Sequence, residues 1–222
     1  MKVLVISSHP DDETLGCAGT ILKHRENGDS VDWIIATSPQ PPTWSKDVIA
    51  GKEIEIENVS KAYGIRRSFK LGFAAAMLDT VPMAEVVRAL DSAIREIKPE
   101  IVYLIHGGDV HTDHQIVFNA TLAVLKPFRM AELGVRRILA FETLSSTDAA
   151  APSSSTAFIP NIYIEISDFI DRKLEIMAIY ESESQPDPLP RGRSAITALA
   201  RYRGAVIAAD YAEAFMLIRE IG

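Results

Sequence analysis

The sequence predicts an α/β protein whose mainly parallel sheet carries helices on both faces. Short β-branched runs alternate with helix-period segments from the first residues onward, the pattern of a crossover-connected sheet. No internal repeat and no Gly/Ser-rich or Pro-rich linker divides the chain, so residues 1–222 are expected to form a single domain.

The elements follow in order. Val3 to Ile6 is a β-branched run bounded by serine and proline, and reads as a buried strand. Leu15 to Arg25 has helical character and stops at Asn27-Gly28. Val31 to Thr37 is a second strand, and residues 38–45 hold three prolines and form a loop. Asp47 to Tyr63 is a charged helix closed by Gly64, and Phe69 to Phe73 a short strand. Pro82 suits a first helical position, and apolar residues at 83, 86, 87, 90, 94 and 97 then make one helical face. Ile101 to Ile105 is the most strand-like run in the chain, and Asp113 to Leu125 is helical until Pro127. Arg137 to Glu142 is a strand, residues 144–155 a Ser/Ala/Thr-rich loop, and Asn161 to Ile166 another strand. Ser167 caps a helix over Asp168 to Tyr180, and Glu181 to Gly192 is a Pro-rich loop. The last 30 residues read as mostly helical.

Composition narrows the function. The formal net charge is −7 and no run of Lys or Arg exceeds two residues, which argues against a nucleic-acid partner. No apolar stretch approaches the roughly 20 residues that span a bilayer, and the first apolar run is too short for a signal-peptide core. With a single cysteine, Cys17, no internal disulfide can form, and a cytoplasmic location without membrane insertion is expected. The apolar stretch Phe73-Ala-Ala-Ala-Met77 points to a subunit contact and a small homo-oligomer.

Two polar clusters carry the chemistry. His9-Pro10-Asp11-Asp12-Glu13 follows the first strand, and His106-Gly-Gly-Asp109-Val-His111-Thr-Asp113-His114 follows IVYLI. In open parallel sheets, ligands bind beyond the carboxyl ends of the strands, where both clusters belong. Imidazole and carboxylate are the ligand types of a catalytic zinc, and a neighbouring carboxylate can take a proton from water. Each cluster also has a plainer reading: Asp-Asp-Glu as carboxylates favoured at a helix N-terminus, the second cluster as surface polarity. His24, between Lys23 and Arg25, reads as a solvated residue, Glu13 as a capping or structural carboxylate, and Cys17 as packing.

The motifs then become specific. SSHPDDETLGCAGTI resembles the first signature of the PIG-L/LmbE-like de-N-acetylases, HTDHQ at 111–115 their His-x-Asp-His signature, and RGAVIAADYAEAF at 203–215 their closing segment. The resemblance covers essentially the whole chain and implies a Rossmann-like fold and removal of acetyl from an N-acetylglucosamine-like sugar, a small-molecule substrate. It implies zinc on His9, Asp12 and His114, with ferrous iron accepted by the same ligand types. Asp11 matches the general base, His111 the residue that protonates the amine or steadies the oxyanion, and Asp113 its neighbouring carboxylate.

Two positions depart from the family pattern. Lys52 stands where many members carry a substrate-holding Arg three residues before a Glu, here Glu55, and offers a point charge in place of a fork. Asp109 stands where some members have Tyr, and is expected to bind a sugar hydroxyl. The segments 39–42, 144–159 and 185–193 are expected as substrate walls. Arg191, Arg193 and Arg203 are candidates for a substrate anion or for surface ion pairs, with Arg193 placed among the substrate-binding residues. Two competing classes are weighed against the hydrolase. A silent sugar- or nucleotide-binding module would not need Asp11, and a magnesium phosphoryl-transfer protein would favour oxygen ligands over two histidines and has no GxxxxGK[ST] loop.

Overall fold

The computed structural model describes residues 1–151 and 153–222; residue 152, within the loop expected over 144–155, lies outside the described residues. Seven strands form one sheet: β1 (Lys2–Ser7), β2 (Ser30–Ser38), β3 (Arg67–Ala74), β4 (Ile101–Ile105), β5 (Arg137–Phe141), β6 (Ile162–Glu165) and β7 (Ala212–Glu220). Their spatial order is β3-β2-β1-β4-β5-β7-β6. β1 to β5 are mutually parallel, and β7 runs antiparallel to both β5 and β6. The order reverses between β1 and β4, which makes the space beyond their carboxyl ends the topological switch point.

The helices are α1 (Asp12–Glu26), α2 (Lys46–Tyr63), α3 (Met83–Ile97), α4 (Thr112–Val124), α5 (Pro127–Leu133), α6 (Ile170–Met177) and α7 (Arg193–Val206). Val3 to Ile6, Val102 to Ile105 and Ile138 to Phe141 are all buried, as strands covered on both faces require. On α3 the buried positions are 86, 90, 93, 94 and 97, a helical stripe, while Met83 at its start is 44 % exposed. Ser45 caps α2 by accepting from the Val48 N–H, and Gly64 ends it in the left-handed region at φ 67°. No helix among the described residues is long and apolar enough to cross a membrane.

Three expectations are corrected. The end of the chain is not mostly helical: after α7, Ala212–Glu220 forms β7, an interior strand. Its Ala, Glu, Met and Leu favour a helix locally, but pairing on both sides and burial of Ala212 to Phe215 override that preference. Pro127 does not simply end α4; it opens the short helix α5, where its missing N–H costs nothing. His24 is not solvated: its Nδ1 lies 2.7 Å from Asp29 and its Nε2 3.0 Å from the Tyr103 hydroxyl on β4.

α1 is broken. Cys17 has φ −146° and ψ 24°, outside helical values, so the Gly19 N–H does not close on Leu15. Instead the Glu213 carboxylate of β7 accepts from the Gly19 N–H (3.0 Å), the Thr20 N–H (2.8 Å) and the Thr20 hydroxyl (2.7 Å). Lys173 of α6 donates to the orphaned Leu15 carbonyl (2.9 Å) and to Glu213 (2.7 Å). Both residues are buried, so each charge depends on the other. Close packing completes the joint: a Cβ on Gly16 would stand 2.1 Å from the Phe141 ring.

Removing one partner leaves the other charge buried. Glu213→Ala is expected to lower unfolding free energy by about 3–5 kcal/mol in urea titrations, and adding Lys173→Met to restore part of that loss.

Candidate active site

Both motifs meet at the switch point. His9 to Glu13 occupy the turn from β1 into α1, and Asp109 to His114 the turn from β4 into α4. β1 and β4 are paired in register, Val3 opposite Ile101 through Ile6 opposite Leu104, so their carboxyl ends are neighbours. His9 Nδ1 lies 3.1 Å from His114 Nε2, and the Asp12 carboxylate lies 3.3 Å from His114 Nε2 and 3.8 Å from His9 Nδ1. Donors about 2.0–2.1 Å from a tetrahedral zinc are separated by roughly 3.3–3.5 Å, so this set fits one. His111 also converges: ring nitrogens of His9, His111 and His114 come within 4.8 Å of one another. The His9–Asp12–His114 set is the tighter, and His111 borders it.

The surroundings hold these groups in place. The His9 N–H donates to Asp12 at 2.8 Å, and with the His9 and His114 imidazoles this holds the Asp12 carboxyl below the usual range against the opposing effect of burial. His114 is almost fully buried, which disfavours its charged form, yet Asp12 and Asp109 push its pKa up to about 10. A positive charge is what this corner is built to hold. His111 moves the other way, to about 4, through burial and the like charges of His9 and His114. Its Nδ1 accepts the Asp113 N–H at 3.2 Å at the cap of α4, so the neutral ring carries its proton on Nε2.

Asp11 has φ 130° and ψ −27°, a conformation that costs a non-glycine residue about 1–3 kcal/mol. Glu13 answers that strain, accepting the Asp11 N–H at 3.2 Å together with the hydroxyls of Thr14 (2.6 Å) and Tyr180 (2.8 Å). The Asp11 side chain is buried and receives Arg191 Nη1 at 2.7 Å. Burial and the Asp12 charge drive its pKa well up, and Arg191 opposes them.

The pocket beside these residues measures about 360 Å³ and is lined by both motifs, by Pro39, Trp44 and Val48, and by Lys52, Ser182, Glu183 and Arg191. Each segment expected as a wall contributes, through Pro39, Ser146 and Arg191. Ala75 and Ala76, from the stretch expected at a subunit contact, line it too.

Arg193 is not brought to the pocket; it is exposed and faces Asp171 at 3.5 Å, while Arg191 two residues earlier points inward. Asp109 does not reach a sugar site either. It is buried, accepts from the His111 N–H (2.9 Å) and the Thr147 hydroxyl (3.0 Å), and stands 3.0 Å from His114 Nδ1 at an angle poor for a hydrogen bond. The Asp113 carboxylate partners His9 Nε2 (3.0 Å) and the N–H groups of Ala76 and Leu78, and meets His111 only through its own backbone N–H. Arg203 makes a two-pronged pair with Glu142. His106 bonds the Thr156 carbonyl away from the pocket. Glu183 carried no sequence signal beyond its place beside a Pro-rich loop.

Comparison with known proteins bears on this site directly. The family described as GlcNAc-PI de-N-acetylase (PIG-L) matches residues 4–125, more than half of the chain and inclusive of both motifs. The chain belongs to this PIG-L family. Among relatives, the uncharacterized deacetylase YaiS of Escherichia coli is 26% identical over 171 residues, covering 75% of this chain and 82% of that one. The diacetylchitobiose deacetylase of Thermococcus kodakarensis is 26% identical over 232 residues, covering 98% and 83%. Among solved structures, the conserved protein TT1542 of Thermus thermophilus is 27% identical with a TM-score of 0.78, covering 99% of this chain and 96% of that one.

Burial pushes the Glu13 carboxyl up from 4.5 to about 7, so between these values the folded chain keeps a proton that the unfolded chain has lost. Stability therefore falls as pH rises through this window. Melting temperatures taken from pH 4.5 to 7.5 are expected to show a shallower fall in Glu13→Gln than in the unmodified protein.

Proposed function

We propose that this protein is a metal-dependent hydrolase that removes the N-acetyl group from an N-acetylglucosamine-like sugar, with zinc on His9, Asp12 and His114 and Asp11 as general base. The observation that carries it is the convergence of those three ligand groups, drawn from two strand ends, next to a separate buried carboxylate in the same pocket. Family membership supports the reaction class, and the deacetylases among its relatives support an acetylated sugar.

A bound zinc would supply a Lewis acid that polarises the acetyl carbonyl and eases deprotonation of the attacking water. Asp11 takes that proton as the water oxygen bonds to the carbonyl carbon. A buried carboxylate with raised proton affinity is suited to a base working near neutral pH. Arg191 fixes the carboxylate's position through a charge-assisted bond. His111 presents Nε2–H to the developing oxyanion as a neutral donor. Breaking the C–N bond requires a proton on nitrogen, since an amide anion leaves poorly. The proton held by Asp11 passes to that nitrogen as the C–N bond breaks, giving acetic acid and the free amine, which at neutral pH leave as acetate and ammonium. Asp109 and Asp113 act behind the ligands, orienting His114 and His9.

Metal analysis and acetate release, measured on one preparation with N-acetylglucosaminides, test this reading. About one zinc or iron per chain is expected. Asp11→Asn should keep the metal and lose acetate release by about 10²–10⁴-fold. Absence of metal after reconstitution would overturn the ligand assignment. A separate titration addresses the groups behind the ligands: Asp109→Ala is expected to weaken metal affinity by about 10–100-fold.

A further inference from the structure

Two cationic side chains line the pocket, and both are already matched. Lys52 Nζ lies 2.7 Å from Glu55 and 2.8 Å from Glu183, and donates to the Ser182 hydroxyl at 2.6 Å. Arg191 gives Nη1 to Asp11 (2.7 Å) and to the other oxygen of Glu183 (2.8 Å), and Nε to Ser145 (2.9 Å). Glu183 thus bridges the two cations with its two oxygens. With Asp12 assigned to the metal corner, the wall sets Lys52 and Arg191 against Asp11, Glu55 and Glu183. Both positive charges are matched by carboxylates, and neither is left over for an added anion. The pairs are largely withdrawn from solvent: the Lys52 side chain is 7% exposed and that of Arg191 22%.

We infer that Glu183 sets the substrate class of this site, reserving it for N-acetylhexosamine glycosides with an uncharged aglycone and turning away those that carry a phosphate or carboxylate. This rests on the de-N-acetylase reading above. An anion at this wall would find no free positive charge, and would have to pull Lys52 or Arg191 out of a desolvated pair and leave a carboxylate uncompensated. A neutral sugar meets neither cost. Its hydroxyls can bond to the exposed edges of the carboxylates, and Pro39, Trp44 and Val48 offer apolar surface to the C–H face of a pyranose. Lys52 at this position strengthens the effect, because a compact ammonium enclosed by two carboxylates and a hydroxyl has no donor left for a phosphate.

The test compares kcat/KM for N,N′-diacetylchitobiose and for N-acetylglucosamine 1-phosphate. The unmodified protein is expected to favour the neutral sugar by at least about tenfold, since like-charge contact costs more than the 1.4 kcal/mol that factor represents. Glu183→Gln should narrow or invert the preference, mainly through KM for the phosphate, and Glu183→Asp should restore it. Equal use of both sugars by the unmodified protein, or an unchanged ratio in Glu183→Gln, overturns the inference. Should that variant not fold, Glu55→Gln, which takes a carboxylate from the same Lys52 cluster, is expected to narrow the preference likewise, and an unchanged ratio overturns the inference. If the metal-loaded protein releases acetate from neither sugar, the hydrolase reading fails. Equilibrium dialysis then still decides specificity, with tighter binding of the phosphate sugar counting against it.

Discussion

The bond between the Glu213 carboxylate and the broken first helix underlies the rest of the site. The turn that carries Asp12 and Glu13 is one short piece of α1, and the helix beyond Cys17 is another. A break in mid-helix leaves amide donors and a carbonyl with nothing to bond, and buried backbone groups must be paired. Glu213 takes the donors and Lys173 takes the carbonyl, so a strand and a helix from late in the chain stand in for the missing helical bond. That repair allows the first turn to set its own direction at the end of β1 while its backbone remains paired.

Charge is handled in the same economical manner throughout the pocket. His114 lies between Asp12 and Asp109, His9 between Asp113 and the Asp12–His114 pair, and Glu183 between Lys52 and Arg191. Buried charges are tolerated only when paired and hydrogen-bonded. The corner formed by Asp12, His9 and His114 draws positive charge toward itself, whereas the Lys52–Arg191 wall is closed upon itself. One part of the pocket gathers positive charge, and the other has its cations already matched.

Much of this was legible in the sequence, for reasons that can be named. β1, β2 and β4 are rich in β-branched residues, β5 is apolar from Ile138 to Phe141, and all four are buried on both faces, so their composition reports their environment. HPDDE and HTDHQ could be placed because each lies in the segment that leads from such a strand into the next helix, and strand ends at a switch point are where ligands bind. β7 was not legible, because its pairing with β5 and β6 is a tertiary fact imposed on helix-favouring residues. Arg191 and Arg193 sit two positions apart where the loop enters α7, and local sequence holds no information on which turns inward. Asp109 and Asp113 were read as facing substrate or His111, yet the carboxylate of Asp109 turns to His114 and that of Asp113 to His9. Side-chain direction at a helix start depends on neighbours such as Ala76, Leu78 and Thr147, distant in the chain.

The position of Glu213 has a consequence for biogenesis. It lies 194 residues after Gly19, whose amide it satisfies. Chains emerge from the ribosome N-terminus first, at about 5–20 residues per second. The HPDDE turn is therefore exposed for ten seconds or more, on the order of the synthesis time of those residues, before its support exists. During that interval its carboxylates and imidazole form a flexible chelating peptide rather than a fixed site. On the proposed metal reading, selective loading comes after β7 has entered the sheet, and the nascent chain is the stage at which a wrong metal is most easily picked up and most easily lost.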